Sequence, residues 1–274
     1  MEIKATDVKE LKDKIGAGLM DCKKALIEAK GDIVEAANIL KKKGMAKAEK
    51  KSGREATEGA IGYVIGKDGK EAAIVEVRCE TDFVARSDTF QAFLQAFASG
   101  VMAEKVKDPA GFSEVKIDGK PAEDARHSAV LKLGENIQLC RGESMAASGV
   151  FYGYSHGNKI GVVVALEKSN DQLGKDIAMH IAALSPAAIT EKDLPEGVLK
   201  EERAIYEAQL QDSNKPAEIK DKIIAGKLKK FASGMCLYGQ PFVKDPKETI
   251  EDILKRDSNH VKSFVRYELG EQQG

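Results

Sequence analysis

The sequence predicts an α+β protein: an N-terminal three-helix module, a two-part core of repeated antiparallel β-hairpin/helix/strand units, and an inserted antiparallel helical hairpin. Three observations carry that reading. Apolar residues recur at helical spacing through residues 1–43. Short β-rich runs then flank turn residues of the hairpin kind, and this order of elements comes twice.

Val8, Leu11 and Ile15 mark the first helix. A second opens near Asp21 and carries Cys22, Ala25, Leu26 and Ala29 before Gly31. Asp32, with Glu35 three residues on, is an N-cap signal for a third, continued by Ile33, Ala36, Ala37, Ile39 and Leu40. Between the first two, Gly16-Ala17-Gly18-Leu19-Met20 reads as a turn that pushes two large apolar residues outward. Residues 41–54 hold seven basic side chains against one acid and read as a flexible linker.

The period then changes. Ala60–Ile65 and Ala72–Val77 flank Gly66-Lys67-Asp68-Gly69, an Asp-Gly hairpin signal. Phe90, Phe93, Leu94 and Phe97 make a helical stripe, a second helix covers roughly 122–134, and Asn136–Cys140 reads as a strand. In the repeat, Gly149–Tyr154 and Ile160–Leu166 flank His156-Gly157-Asn158-Lys159. Leu173, Ile177, Ile181 and Leu184 mark a helix, Ile250, Ile253 and Leu254 another, and a strand runs from Val261 to Leu269. Within this second unit Val198, Glu202, Ile205 and Gln209, then Ile219, Ile223, Ile224, Leu228 and Phe231, fit two helices joined by a turn at 212–216. The predicted boundaries are 1–54 for the module and linker and 55–147 for the first core part. The second part takes 148–188 with 235–270, the helical insertion 189–234 and a tail 271–274.

The repeat is informative where it breaks. Six residues separate Leu166 from Leu173, but twelve separate Val77 from Phe90. The surplus lies in Arg78–Thr89, a loop that carries Phe83 and Val84 beside Asp82 without being needed to close the fold. That makes it a candidate working loop.

Composition narrows the function. Over 274 residues, 43 Lys and Arg face 44 Asp and Glu, a net charge of -1. Residues 1–54 carry 14 basic and 9 acidic side chains, however, and the rest 29 and 35. A globally basic, nucleic-acid-binding surface is excluded, and with 5% aromatics and no Trp so is a stacking platform for single strands. No apolar run approaches the roughly 18 residues of a membrane span. Nor does the N-terminus hold the apolar stretch of a signal peptide. Four scattered cysteines, Cys22, Cys79, Cys140 and Cys236, read as reduced thiols of a cytoplasmic protein. Nucleophile-elbow, P-loop, zinc-protease and paired-cysteine motifs are all missing, so no enzymatic activity, cofactor or metal is expected.

Several features have two readings. The basic run 41–54 is either a solvated linker or a nucleic-acid contact. The helical insertion either satisfies itself by pairing its own helices or also joins two chains. His180, beside the apolar stripe, reads as an edge-of-core histidine. Leu19-Met20 and Asp82-Phe83 place large apolar side chains where packing does not demand them, and read as anchors for a protein partner; a buried loop phenylalanine is the alternative.

Met20-Asp21-Cys22-Lys23-Lys24-Ala25-Leu26 after Gly16-Ala17-Gly18, and Glu80-Thr81-Asp82-Phe83-Val84-Ala85-Arg86, closely resemble the two signature segments of the bacterial elongation factor Ts family. The resemblance continues in order through Tyr154–Val162, Ala178-Met179-His180-Ile181-Ala182 and Gly239-Gln240-Pro241-Phe242-Val243. It implies a guanine-nucleotide exchange factor of translation that binds elongation factor Tu in its GDP-bound and nucleotide-free forms and makes no covalent bond. It further implies a UBA-like N-terminal module whose Leu19, Met20 and Asp21 touch the partner's nucleotide-binding domain. Asp82 and Phe83, flanked by Thr81 and Val84, would wedge near the partner's Mg²⁺ and phosphate site. His156, Met179 and His180 would touch its other domains. Homodimerisation through the helical hairpin is compatible with this reading, and neither a membrane nor direct nucleic-acid binding is expected. The family's C-terminal helical module is expected to be short or absent, the chain running out at Glu271-Gln272-Gln273-Gly274.

Overall fold

The computed structural model describes residues 3–271 except 196, 212 and 214. Two positions of the expected turn at 212–216, and residues 272–274 of the expected tail, therefore lie outside the described residues. The chain forms two compact units. One comprises Met1–Ala146, Ser155–Val163 and Tyr267–Gly274; the other comprises Ala147–Tyr154 and Val164–Arg266.

The first unit opens with α1 (Ala5–Ile15), α2 (Leu19–Glu28) and α3 (Ile33–Lys51). Val8, Leu11, Cys22, Ala25, Leu26, Ala36 and Leu40 bury one stripe from each helix into a shared core. Asp32 caps α3 as its sequence signal predicts: its carboxylate accepts from Val34 N–H at 2.8 Å and Glu35 N–H at 3.0 Å. Two expectations need correction. The second helix begins at Leu19 rather than near Asp21, so Leu19 and Met20 occupy a first helical turn. The linker expected at 41–54 is helical as far as Lys51, because Leu40, Gly44 and Ala48 form a buried stripe at four-residue spacing along α3.

Strands β1 (Glu58–Ile65) and β2 (Glu71–Cys79) pair antiparallel, with Gly62 opposite Val75. A single helical turn, α4 (Asp82–Ala85), leads into α5 (Asp88–Ala103). A short ribbon, β3 (Lys116–Ile117) with β4 (Lys120–Pro121), precedes α6 (Ala122–Leu133). Strand β5 (Gln138–Ala146) completes a sheet of order β1-β2-β5. It starts two residues later than expected, because Asn136 and Ile137 are spent on the corner that leaves α6. Phe90, Leu94, Phe97 and Val101 of α5 are buried against the sheet, each large side chain contributing about 1.5–3 kcal/mol. A Cβ on Gly62 would fall 2.6 Å from Leu94 Cγ, so glycine in β1 is what lets α5 lie this close.

The second sheet has the order β6-β7-β8, with β6 Val150–His156, β7 Ile160–Leu166 and β8 Val261–Glu268. Both sheets thus order their strands first, second, last. In the second unit α7 (Asp171–Leu184) buries Leu173, Ile177, His180 and Ile181. Helices α8 (Val198–Gln209) and α9 (Ala217–Met235) run back along each other: Lys227 sits over Tyr206, its Nζ 4.8 Å from the ring centroid, and Lys220 Nζ donates to Gln211 O at 3.3 Å. Helix α10 (Ile250–Arg256) opens on a Thr249–Asp252 capping box.

Candidate functional site

After Cys79 the chain leaves β2 and enters α4, one turn of helix that would not persist alone, since isolated helices need about 12–15 residues. Its anchors are specific. The Thr81 hydroxyl accepts from Val84 N–H at 3.3 Å, capping the turn, and donates to Glu135 Oε1 at 2.6 Å. Glu135 Oε2 accepts from the backbone N–H of Glu80 at 3.1 Å and of Thr81 at 3.0 Å. Glu80 Oε1 in return accepts from Asn136 N–H at 2.7 Å. From below, Val84 packs on the α5 core, Ala85 is buried, and Gln91 Nε2 donates to Ala85 O at 2.7 Å. Cys79 Sγ donates to Thr81 O at 3.1 Å; burial, with the Glu135 carboxylate nearby, pushes its thiol up to about 12, which keeps it a proton donor.

On this fixed base Phe83 is 84% exposed. The buried-phenylalanine alternative is thereby eliminated. Asp82 beside it pairs with Arg86 at 3.1 Å, one helical turn on. Thr81, Asp82, Phe83 and Val84 therefore divide the labour: Thr81 and Val84 face inward as cap and packing, Phe83 outward, and Asp82 lies at the rim.

Leu19 and Met20 are 55% and 61% exposed. Side chains in a helix point back toward its N-terminus, so those of a first turn project past the helix end with no preceding turn to cover them. Asp21 pairs with Lys47 of α3 at 3.2 Å. At the surface such a pair contributes about 0–1 kcal/mol, and it ties α2 to the helical part of the supposed linker.

The remaining predicted residues separate. His156 is exposed at the head of a two-residue turn in which Gly157 (φ 57°) and Asn158 (φ 59°) both take the left-handed conformation that matches strand twist. Ile61 N–H donates to Asn158 O at 2.8 Å, and Lys159 pairs with Glu58 at 2.5 Å, so the turn is fastened to β1. Met179 is half-buried on α7. His180 is 0% exposed, its Nε2 3.0 Å from Gln240 Oε1 and its Nδ1 3.2 Å from Val243 N. It therefore offers no surface to a partner, which corrects the expectation of direct contact in favour of the core reading. Phe83, Leu19, Met20 and His156 belong to the first unit; Met179 and His180 belong to the second.

A cleft of about 860 Å³ in the first unit is lined by Val34, Lys41, Phe93, Asp124 and His127 among others, but not by Phe83. Within it Lys41 and Asp124 pair at 2.6 Å, and lysines and aspartates both contribute to the rest of its lining. Among the described residues no group of three or more His, Cys, Asp or Glu could hold a metal ion, and no helix is long and apolar enough to cross a membrane.

A family profile described as Elongation factor TS matches residues 80–271, starting at the residue that opens the α4 base. The chain belongs to the elongation factor Ts family. Proteins named Elongation factor Ts are similar over nearly its whole length. That of Hydrogenovibrio crunogenus is 46% identical over 272 residues, 99% of this chain and 92% of its own. Those of Thioalkalivibrio sulfidiphilus and Methylococcus capsulatus are each 44% identical, covering 99% of this chain and 93% of their own. The profile takes in the Glu80–Arg86 segment, whereas Leu19 and Met20 fall within the range of these relatives but outside the elongation factor Ts profile. Sequence reasoning missed Glu135 and Asn136, which follow the α6 cap Gly134. Their partners Glu80 and Thr81 lie more than fifty residues away, and no local pattern announces such a bond.

Proposed function

We propose that this chain is a cytoplasmic guanine-nucleotide exchange factor that binds elongation factor Tu in its GDP-bound form and promotes GDP release by inserting Phe83 near the Mg²⁺ and phosphate site. Family membership supports the translation-elongation role, and one observation supports the mechanism: a phenylalanine exposed over 84% of its surface on a helix fixed from below. A rigidly presented ring loses little conformational freedom on binding. Packed protein responds to such an intrusion by switching between discrete arrangements, and displacing the groups that hold Mg²⁺ removes charge compensation for the diphosphate.

Magnitudes decide what the wedge does alone. Burying a phenylalanine contributes about 1.5–3 kcal/mol, and each tenfold loss of GDP affinity requires about 1.4 kcal/mol. Phe83 thus accounts for roughly one to two factors of ten. Further factors come from Leu19 and Met20 of a UBA-like module, with Asp21 beside them, and from His156 and Met179 elsewhere on the chain. By linkage, GDP weakens factor binding by the same ratio as the factor weakens GDP binding. No covalent bond changes, so the protein is not an enzyme. In this reading 1–54 is the docking module, 55–147 carries the wedge, 148–188 with 235–270 forms the second core part, and the arm at 189–234, with exposed Ile205 and Ile219, is a self-association surface. Residues 41–51 serve as packed helix rather than as a nucleic-acid contact.

The test is stopped-flow release of fluorescent GDP from Tu. Phe83→Ala is expected to lower the stimulated rate at least tenfold with an unchanged melting curve, since so exposed a ring supports little of the fold. Unchanged stimulation would overturn the wedge.

A further inference from the structure

We infer that Glu135 is a positioning residue for nucleotide exchange, holding the helix that carries Phe83 in its working orientation; this rests on the wedge reading above. The bonds form a chain of cause. A threonine hydroxyl rotates freely unless a partner fixes its hydrogen. Glu135 Oε1, at 2.6 Å, takes that hydrogen, which turns a lone pair of Thr81 Oγ1 toward Val84 N–H and makes the cap. Glu135 Oε2 accepts from two successive backbone N–H groups, those of Glu80 and Thr81, so one carboxylate fixes both the peptide plane entering the turn and the cap that opens it. Bonds to a charged acceptor are shorter and about twice as strong as neutral ones. Glu80 Oε1 closes the loop by accepting from Asn136 N–H at 2.7 Å, which binds the Gly134–Asn136 corner and the wedge segment reciprocally.

Glu135 acts through what it orients. The core holds α4 at its C-terminal side, through Ala85 and Gln91. On its N-terminal side, from which Asp82 and Phe83 project, Glu135 makes three of the bonds, beside those of Cys79 to Thr81 O and of Asn136 to Glu80. Without that carboxylate α4 remains attached through Ala85 while its N-terminal end, and Phe83 with it, samples other orientations. The fraction of molecules presenting the ring correctly then falls, and the effective rate falls in proportion. Docking through Leu19 and Met20 is untouched.

GDP release from Tu is therefore measured with full-length Glu135→Ala, Glu135→Gln, Phe83→Ala and Phe83→Ala/Glu135→Ala, alongside amide hydrogen exchange at Glu80 and Thr81. Expected are a fall of about tenfold in the saturating release rate for Glu135→Ala, a half-saturating concentration within about threefold of the parent, and faster exchange at both amides. Glu135→Gln, which keeps an acceptor oxygen but loses the charge, should recover part of the rate and serves where the alanine variant folds poorly. Because Glu135 works through Phe83, its removal should change nothing further in the Phe83→Ala background. If Phe83→Ala slows release while Glu135→Ala does not, or if the two losses multiply in the double variant, the inference is overturned and the wedge stands. If Phe83→Ala has no effect, the wedge falls and the inference with it.

Discussion

The imidazole of His180 can take only one form inside the second unit. Gln240 Nε2 donates to Gly234 O at 2.8 Å, which turns Gln240 Oε1 toward the ring, so Nε2 of His180 carries the hydrogen. Val243 N–H donates to Nδ1, which must therefore remain an acceptor. A second proton on Nδ1 would face that N–H and break the bond. Burial also holds the pKa below its ordinary 6.5, partly offset by the Gln240 bond. The sign follows: below pH 6.5 the unfolded chain binds a proton that the folded chain refuses. His180 thus adds its stability in full above the unfolded value, and that stability is lost as pH falls below it. Urea unfolding should show the parent losing more stability than His180→Gln between about pH 7.5 and pH 5; equal losses would rule out this role. The difference between the two proteins isolates His180 from His127, whose pKa burial also lowers. Both behaviours were partly legible in sequence. His180 lies seven residues after Leu173 and three after Ile177, on the apolar stripe of α7. Phe83 lies on a surplus loop, off any stripe. What spacing could not supply were Gln240 and Val243, sixty residues on, whose bonds let a histidine be fully enclosed.

At the scale of elements, the segment 41–51 shows where composition misleads. Its lysines suggested a solvated linker, yet lysine, alanine, glutamate and methionine are all good helix formers. The buried positions are Leu40, Gly44 and Ala48, and two of these are too small to register as a hydrophobic stripe. They are small because α6 packs there: a Cβ on Gly44 would lie 3.1 Å from the His127 carbonyl oxygen. The lysines flank this buried seam and reach neighbouring elements from its edges: Lys41 meets Asp124 of α6, Lys47 meets Asp21 of α2, and Lys51 Nζ donates to Gly134 O. The hairpins and α7 were legible because turn residues and large apolar side chains mark them locally, whereas α3 owes its second half to a helix some eighty residues downstream. The two accounts separate cleanly on Ala46, whose side chain is exposed. In a linker, Ala46→Pro would be neutral. In a packed helix it removes one backbone bond and clashes with the preceding turn, at a cost of about 3 kcal/mol or more. Reduced amide protection across 45–51 and a lowered melting temperature are expected. A neutral result would return the segment to the linker class.

At the scale of the whole molecule, residues 267–270 complete the first unit, and a buried charge explains how. Glu76 of β2 is 0% exposed between Val75 and Val77, at a register shift between β2 and β5. In a strand this apolar, an isolated carboxylate would be severely penalised. Arg78 Nε and Arg141 Nε donate to it at 2.5 and 2.6 Å, and Gly270 N–H at 3.2 Å. Arg141 also donates from Nη2 to Glu268 O at 2.6 Å and stacks 4.1 Å from the Tyr267 ring centroid. The Tyr267 hydroxyl in turn donates to Glu143 at 2.9 Å; burial, then the Glu143 carboxylate, raises its pKa well above the ordinary phenol value, so it stays a donor. Tyr267, Glu268 and Gly270 thus satisfy a charge set in place almost two hundred residues earlier. A sequence pattern reports only an acid inside a strand with an arginine two residues on; Arg141 and the residues that brace it, Tyr267 to Gly270, lie far along the chain. Removing one partner of a buried pair costs about 3–5 kcal/mol because the other is left uncompensated. Glu76→Gln should therefore destabilise the first unit by about that amount, read from hydrogen exchange of the β2 and β5 amides in graded urea. A chain ending at Arg266 should lose a comparable amount at the same amides. Combining the two changes should add little, since members of one network do not contribute independently. Fully additive losses would mean that residues 267–270 stabilise the unit by some route other than Glu76 and Arg141.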